Sequence, residues 1–284
     1  MNISNILICP LCRAPLLAEG RSFYCTGERR HCYDIAKEGY VNLLPPGKRS
    51  NAKTGDDREM LKSRRTFLSG GYYDPISKRA AETAEEALSP TASFIFADAG
   101  CGDGYHALNI EKHFKARGIS TLGIGLEASK SGAAMAAKLA KAGGSSSFFA
   151  AANIFDIPLA DGSVDCVFSM FAPVPDSEAY RILSDDGVLI VCSSGSYHLW
   201  EMRKVLYGEP RLSPPLNRTP DGFAPVSHSS LSYEFTLDTQ DLIAALFTMT
   251  PFYWRCPREG RERLLSLEKL TLRSETEYTV YKKI

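Results

Sequence analysis

The chain has 284 residues, of which 44% are hydrophobic and 23% charged, and its formal net charge is zero. This length and composition predict one large globular domain with a smaller one, and no apolar run is long enough to predict a transmembrane helix. The sequence does not open with a basic stretch and a long apolar segment. We therefore expect no signal peptide, a cytoplasmic protein, and eight cysteines that are thiols or metal ligands rather than disulfides.

The neutral total hides an uneven distribution of charge. Residues 1–79 carry 14 Lys and Arg against 8 Asp and Glu, whereas residues 80–254 carry 11 against 20. A basic front on an acidic body is typical of a protein that binds a polyanion at one end. A solvated surface with uneven charge is the alternative reading.

Cysteine and histidine residues cluster near the start of the chain, as Cys9-x-x-Cys12 followed by Cys25, His31 and Cys32. Two such knuckles fit one tetrahedral zinc ion, with His31 and Cys32 competing for the fourth position. Four protein ligands leave no open site, so the ion would be structural, and its binding would supply folding energy to a small module. A redox C-x-x-C is the alternative, but no thioredoxin-like βαβ pattern surrounds it.

The elements define a zinc module at 1–44, a basic linker at 45–58 and an α/β domain at 59–284. Helices are predicted at 59–69, 74–88, 105–117, 129–142, 198–207 and 239–248, and strands at 94–98, 121–127, 147–151, 164–170, 187–193, 231–237 and 276–281. The alternation after residue 94 predicts a parallel sheet with helices on both faces. Asp238 is expected to cap the helix that begins at 239.

A glycine-rich turn, Asp98-Ala99-Gly100-Cys101-Gly102-Asp103-Gly104, joins the first strand of this series to a helix. Glycines there let backbone approach a ligand closely. The G-x-G-x-G spacing differs from the dinucleotide pattern G-x-G-x-x-G. It resembles motif I of class I S-adenosylmethionine-dependent methyltransferases. Carboxylates suit this cofactor, which carries a sulfonium and no phosphate.

That resemblance implies further cofactor contacts at the ends of the next two strands. Glu127 would accept hydrogen bonds from the ribose hydroxyls, although a surface Glu at a helix start is the alternative. Asn153 and Ile154 would lie against the adenine. Phe171, at the end of the fourth strand, would face the acceptor, either stacking on a base or belonging to the core.

Longer segments resemble bacterial 23S rRNA (guanine-N1)-methyltransferases, a family with housekeeping and tylosin-resistance members. They are His31–Pro45, Gly55-Asp56 with Glu59-Met60, Arg64-Arg65-x-Phe67-Leu68 with Gly71 and Tyr73, His198-Leu199 with Glu201, and Met249–Phe252 with Trp254. The resemblance implies a Rossmann-like parallel sheet with an antiparallel last strand, a zinc ribbon and a homodimer. It also implies zinc ligands Cys9, Cys12, Cys25 and His31, and cofactor contacts at Tyr73, His198, Gly102 and Asp103. Without it, Tyr73 and His198 read as a packed tyrosine and a helix-start histidine.

The predicted function is methylation of guanine N1 in a hairpin loop of 23S rRNA, with S-adenosylmethionine as methyl donor and one structural Zn²⁺. Glu201, Asp103 and His198 are open candidates for the base that takes the N1 proton. Arg29, Arg30, Lys48, Arg49 and Lys53 are expected to grip the RNA backbone. Methylation of another RNA or a small molecule, and a non-catalytic zinc-ribbon RNA-binding protein, are the alternatives.

Overall fold

The structure is a computed structural model, and it describes residues 3–45, 58–89, 92–214 and 218–284. Most of the predicted linker, including Lys48, Arg49, Lys53, Gly55 and Asp56, lies outside the described residues. The described chain forms a small three-stranded sheet at the start and a large eight-stranded sheet covered by helices.

The first 45 residues contain four short strands after a 3₁₀ turn at Ile3–Asn5: β1 Leu16–Glu19, β2 Ser22–Cys25, β3 Cys32–Asp34 and β4 Val41–Asn42. The remaining strands are β5 Ser93–Ala99, β6 Ser120–Glu127, β7 Phe148–Ala151, β8 Val164–Met170, β9 Leu183–Ser194, β10 Phe223–Leu237 and β11 Leu270–Lys283. The helices are α1 Arg58–Leu68, α2 Asp74–Leu88, α3 Tyr105–Ala116, α4 Lys130–Ala142, α5 Asp176–Ile182, α6 Trp200–Leu206, α7 Gln240–Thr248, α8 Phe252–Arg255 and α9 Arg258–Leu265.

The large sheet has the strand order β10-β11-β9-β8-β5-β6-β7-β4. Every pair from β9 to β4 is parallel, whereas β11 runs antiparallel to both β9 and β10. Central strands such as β5 are buried on both faces, which explains their continuous apolar sequence. The predicted parallel sheet with an antiparallel last strand is therefore confirmed.

Predicted and observed elements differ where the local pattern is weak. The prediction that Asp238 caps α7 is wrong, because the Thr239 hydroxyl accepts the Leu242 N–H at 3.3 Å and caps the helix instead. Strand β10 begins at Phe223 rather than at 231. Most side chains in its first half are exposed, so this half carries little apolar signal in the sequence. Helices α5, α8 and α9 have at most eight residues and were not predicted.

The first 45 residues pack into the large sheet. Strand β4 pairs in parallel with β7 at its edge, and Leu43 N–H donates to the Ala151 carbonyl at 2.8 Å. Antiparallel bridging between Leu7 and Leu159 adds a second attachment. One buried cluster holds side chains from both parts: Cys9, Leu16, Phe23, Cys25, Val41 and Leu43 with Leu122, Ile124, Ala150, Ile157 and Leu159. The two parts therefore share a hydrophobic core.

Across the described residues, none of the helices combines the length and the apolar character needed to cross a membrane.

Candidate functional site

A cleft of about 1210 Å³ opens at the carboxyl ends of the parallel strands. Its walls come from the ends of β5, β6, β7, β8 and β9 and from α1, α6 and α8. Ligands of open α/β sheets bind at this edge. The volume exceeds that of a typical small-molecule pocket, so the cleft has room for a cofactor and part of a second molecule.

The glycine turn between β5 and α3 forms the floor of the cleft. Gly102 has φ +57° and lines the cleft, and a Cβ there would meet nothing within 4 Å. Gly104 has φ +80°, and a Cβ there would lie 2.8 Å from the Ala136 Cβ. Of the ten predicted cofactor residues, all of which are described, Gly104 alone does not line the cleft. Gly104 is the N-cap residue of α3, where the absence of a side chain lets the start of the helix pack closely on α4.

Glu127 lies at the end of β6, beside the glycine turn. Its carboxylate accepts the backbone N–H of Gly102 at 2.9 Å and that of Ser129 at 2.7 Å. The Ser129 hydroxyl in turn accepts the Gly132 N–H and caps α4. These bonds fix the carboxylate against the cleft, in position to accept from two vicinal hydroxyls.

Two further carboxylates are buried at the same end of the cleft. Both oxygens of Asp98, and Oδ2 of Asp103, have no hydrogen-bond partner within the described parts of the chain. Burial, together with the charge of Glu127, raises the pKa of Asp98 to about 7. Burial also raises the pKa of Asp103, against the lowering effect of the Arg64 charge. Buried carboxylates without partners fit a cationic ligand such as the ammonium and sulfonium groups of S-adenosylmethionine.

The predicted adenine contacts also line the cleft. Asn153 and Ile154 directly follow β7, and the Asn153 side-chain oxygen accepts the Phe155 N–H at 3.1 Å. In the sheet order they lie two strands away from Asp98. The predicted donor site therefore extends along one edge of the sheet, from β5 across β6 to β7.

Tyr73 and His198 both line the cleft and contact each other. The Glu275 N–H donates to His198 Nδ1 at 3.2 Å, so His198 Nε2 carries the proton and donates to the Tyr73 hydroxyl at 3.2 Å. Burial lowers the pKa of His198 to about 4, which keeps the ring neutral. The hydroxyl proton of Tyr73 is then available to an acceptor in the cleft.

His106 and Arg203 are among the cleft residues that were not assigned to the site from sequence. His106, in the first turn of α3, hydrogen-bonds the Ser77 hydroxyl through Nδ1 at 2.8 Å, and burial lowers its pKa to about 3. Arg203, in α6, is buried and donates to the His198 carbonyl at 2.8 Å. The cleft-lining face of each helix becomes apparent only after folding, and neither residue belongs to a short motif.

The three candidate bases have different environments in the fold. Glu201 is not among the described residues that line the cleft, and its Oε2 accepts the Arg273 N–H at 2.9 Å. Both ring nitrogens of His198 are engaged as described above. Asp103 lines the cleft and keeps Oδ2 without a partner in the described chain.

Near the start of the chain, the ligand atoms of Cys9, Cys12, Cys25 and His31 all lie within 4.8 Å of one another. His31 Nδ1 is 3.4 Å, 3.6 Å and 3.5 Å from the three sulfurs, and the sulfurs of Cys12 and Cys25 are 3.7 Å apart. A tetrahedral zinc site places its ligand atoms about 3.6–3.8 Å apart, so this group fits the ion. Cys32 is exposed and stands outside the group, with Sγ 3.8 Å from Asp34 Oδ1.

Two of the cysteine sulfurs in this cluster have a further hydrogen-bond contact. The Tyr33 hydroxyl lies 3.0 Å from the Cys9 sulfur, and the His31 N–H donates to the Cys25 sulfur at 3.0 Å. Donors to thiolate sulfur are the usual outer partners of metal-bound cysteines.

Comparison with known proteins agrees with both parts of the chain. The zinc-ribbon family model described as RlmA, N-terminal, matches residues 7–51, and a methyltransferase-domain model matches residues 96–187. YxjB of Bacillus subtilis (strain 168), provisionally named a 23S rRNA (guanine-N1)-methyltransferase, is 34% identical over 258 residues, which cover 88% of each chain. The 23S rRNA (guanine(748)-N1)-methyltransferase of Streptomyces fradiae is 31% identical over 275 residues, covering 94% of this chain and 92% of that one.

Both matches extend over nearly the whole of each sequence, and the cleft and the Cys₃His cluster have the chemistry that S-adenosylmethionine and zinc require. The cofactors are S-adenosylmethionine and one structural zinc ion. The chain therefore belongs to the family of 23S rRNA (guanine-N1)-methyltransferases.

Proposed function

We propose that the protein transfers a methyl group from S-adenosylmethionine to N1 of a guanine in 23S rRNA. The similarity to YxjB over 88% of both chains carries this proposal, because it spans the zinc ribbon and the methyltransferase domain together. The cleft supports it, since its volume of about 1210 Å³ leaves space beside the cofactor for a nucleobase.

In this proposal the cofactor lies along the carboxyl edge of the sheet. Asp98 and Asp103 hold its cationic methionine end, Gly100 and Gly102 admit it closely, and Glu127 accepts from the ribose. Asn153 and Ile154 flank the adenine, and Tyr73 and His198 contact the cofactor as well. Gly104 contributes by holding α3 in place. The unpartnered oxygens of Asp98 and Asp103 support the cationic assignment.

Bound S-adenosylmethionine supplies an electrophilic methyl group. The protein must present guanine N1 in line with it, and the proton that N1 carries at neutral pH must be accepted. Of the three bases proposed from sequence, Asp103 is committed to the cofactor in this proposal, Glu201 is not among the described residues that line the cleft, and both ring nitrogens of His198 are engaged. The N1 proton is therefore proposed to leave to water in the cleft. The net charge is conserved, because the sulfonium loses its charge as that proton departs.

The zinc ion, in the same proposal, is held by Cys9, Cys12, Cys25 and His31. It has a structural role, because four protein ligands leave no position for a substrate. The basic residues Arg29 and Arg30, both exposed beside this cluster, are proposed to contact RNA phosphates together with the predicted linker. The guanine is proposed to lie in a hairpin loop, where it can leave the base stack.

The proposal also includes a cytoplasmic location, where ribosomal RNA is found, and a homodimer. Light scattering on the purified chain tests the homodimer, since a mass near twice 31.2 kDa is expected.

The decisive experiment uses unmodified 23S rRNA transcript, labelled S-adenosylmethionine and primer extension. A methyl group on guanine N1 blocks Watson–Crick pairing, so a new stop one nucleotide before a guanine is the expected result. Incorporation of label without such a stop would contradict N1 as the target. Absence of label with an active control methyltransferase on the same transcript would contradict the function.

A further inference from the structure

Phe171, the first residue after β8, combines two unusual properties. Its φ is +54°, in the left-handed region that non-glycine residues rarely adopt. The residue is 42% exposed and lines the cleft. A strained backbone persists only where the surroundings impose it, and such residues cluster at functional sites. Core packing does not account for a strained phenylalanine that remains this exposed.

Two hydrogen bonds hold the turn at Phe171. Its N–H donates to the Cys192 carbonyl on β9 at 2.9 Å, and the hydroxyl of the buried Ser169 donates to the Ala172 carbonyl at 3.0 Å. Both bonds anchor the turn to central strands of the sheet. The backbone from which the ring projects is therefore held by the sheet.

The ring lies beside the predicted donor site. A Cβ on Gly100 would come within 2.8 Å of the Ala172 Cβ, so this turn lies against the glycine turn that borders the donor. The rings of Tyr73, His106 and His198 surround Phe171 at centroid distances of 6.3 Å, 6.0 Å and 5.9 Å. These contacts restrict the phenyl ring, and the part that stays exposed lies within the cleft.

The adenine of the cofactor does not account for this ring. The predicted adenine contacts follow β7, whereas Phe171 follows β8, and β5 and β6 lie between those two strands. The ring is therefore on the acceptor side of the donor site. Unpaired nucleobases are bound by exposed aromatic faces of this kind, whatever their sequence.

We propose that the Phe171 ring is the platform on which the target guanine stacks once it has left the RNA stack, an inference that rests on the proposed function. Phe171 acts by positioning: stacking fixes the plane of the base, which aligns N1 with the methyl group. The held turn and the neighbouring rings restrict the phenyl ring in advance, which lowers the entropy lost when the base arrives.

The test is a double-mutant cycle between protein and RNA. A hairpin fragment of 23S rRNA is prepared with the guanine identified by primer extension, and again with an abasic nucleotide at that position. We expect Phe171→Ala to weaken binding of the guanine hairpin about 5- to 150-fold. Its binding of the abasic hairpin should stay within about twofold of wild type. Phe171→Tyr should restore guanine binding, and Tyr180→Ala, which removes an exposed aromatic outside the cleft, should change neither RNA.

Two further measurements exclude a purely structural role. Calorimetry should give the same S-adenosylmethionine affinity for wild type and Phe171→Ala. Phe171→Gly, which relieves the strain at φ +54°, should melt at a higher temperature than Phe171→Ala but bind the guanine hairpin no better. Equal weakening of both RNAs, or a parallel loss of cofactor affinity, would overturn the inference. A wild-type protein that methylates no guanine in the transcript would overturn the proposed function instead.

Discussion

Buried ionisable side chains define the chemistry of the cleft at the scale of single residues. Asp98 lacks a partner within the described chain, and its pKa is raised to about 7 by burial and by Glu127. His198 is buried and His106 is partly buried, and desolvation lowers their pKa values to about 4 and about 3, so both rings are neutral. The carboxylates thus favour a cationic ligand, whereas the neutral histidines add no charge to the cleft.

Asp98→Asn should change how stability depends on pH. The pKa of Asp98 is higher in the folded than in the unfolded chain, so its stabilising contribution is complete below about pH 4 and is lost as the pH rises to about 7. At pH 8 the free energy of unfolding of the ligand-free variant should therefore exceed that of wild type by up to about 4 kcal/mol. Its melting temperature should be higher as well. At pH 4 the difference should vanish.

The same substitution should weaken S-adenosylmethionine binding, because a neutral amide cannot balance the charge of the cofactor. Wild-type affinity should rise between pH 6 and 8 as Asp98 ionises, and the variant should lose this rise. Differential scanning calorimetry and titration calorimetry over this range measure both effects. A variant with wild-type affinity at pH 8 would contradict the assignment of Asp98 to the cationic end.

The turn between β5 and α3 shows how one element combines two tasks. Gly102 and Gly104 both have positive φ, but only Gly102 lines the cleft. A Cβ at Gly104 would meet the Ala136 Cβ at 2.8 Å and Phe149 Cε1 at 3.0 Å. The first glycine keeps space open for the ligand, and the second lets α3 approach α4 and β7.

Gly102→Ala and Gly104→Ala should therefore fail in different ways. Gly104→Ala adds overpacking to backbone strain and should lower the free energy of unfolding by about 2–4 kcal/mol. Gly102→Ala should cost only about 1 kcal/mol of stability, yet weaken S-adenosylmethionine binding at least about tenfold, since its Cβ enters the cleft. Chemical denaturation and titration calorimetry separate the two outcomes. Equal loss of stability in both variants would contradict this division.

At the scale of the whole molecule, the zinc module and the α/β domain share one hydrophobic core. Strand β4 extends the large sheet, and the Arg13 guanidinium pairs with Asp156 at 3.1 Å. Arg181 donates to the carbonyls of Ile157 and Leu159, each at 2.7 Å, and so supports the loop on which the module docks. That loop begins with Asn153 and Ile154, which links the zinc module to the predicted adenine site.

Removal of zinc should consequently destabilise the whole chain. A chelator should lower the melting temperature in a single transition, because Cys9 and Cys25 share a buried cluster with Leu122 and Ile157. Cys32→Ser, which changes a cysteine outside the cluster, should leave zinc content and melting unchanged. Two separate transitions after chelation would show that the module folds independently.

RNA binding should depend on charge near the zinc module. We expect replacement of Arg29, Lys48, Arg49 and Lys53 by Ala to weaken binding of the 23S rRNA hairpin. The slope of log affinity against log salt should fall by about 0.7–0.9 for each phosphate that the variant no longer neutralises. Lys115→Ala, at an exposed position near the end of α3, is the matched control. An unchanged slope would contradict the proposed phosphate contacts.

Local sequence determined much of this protein. The C-x-x-C knuckle, the glycine turn and the alternation of strands and helices are short-range patterns, because they follow from ligand spacing, backbone freedom and burial within a few residues. These patterns predicted the parallel sheet. The resemblance of the glycine turn to motif I indicated the cofactor, and the family resemblance added the antiparallel last strand. The local patterns left His31 and Cys32 as rivals, because adjacent residues are equivalent in spacing.

Tertiary structure decided what depends on distant parts of the chain. In the folded chain, His31 rather than Cys32 lies beside the three thiols, and β4 pairs with β7. Glu201 is not among the described residues that line the cleft. The tertiary structure also gave Phe171 its strained, exposed position, through bonds from β9 and from Ser169. These outcomes rest on contacts between residues far apart in sequence. A local pattern does not specify which distant residues will pack against a given strand or helix.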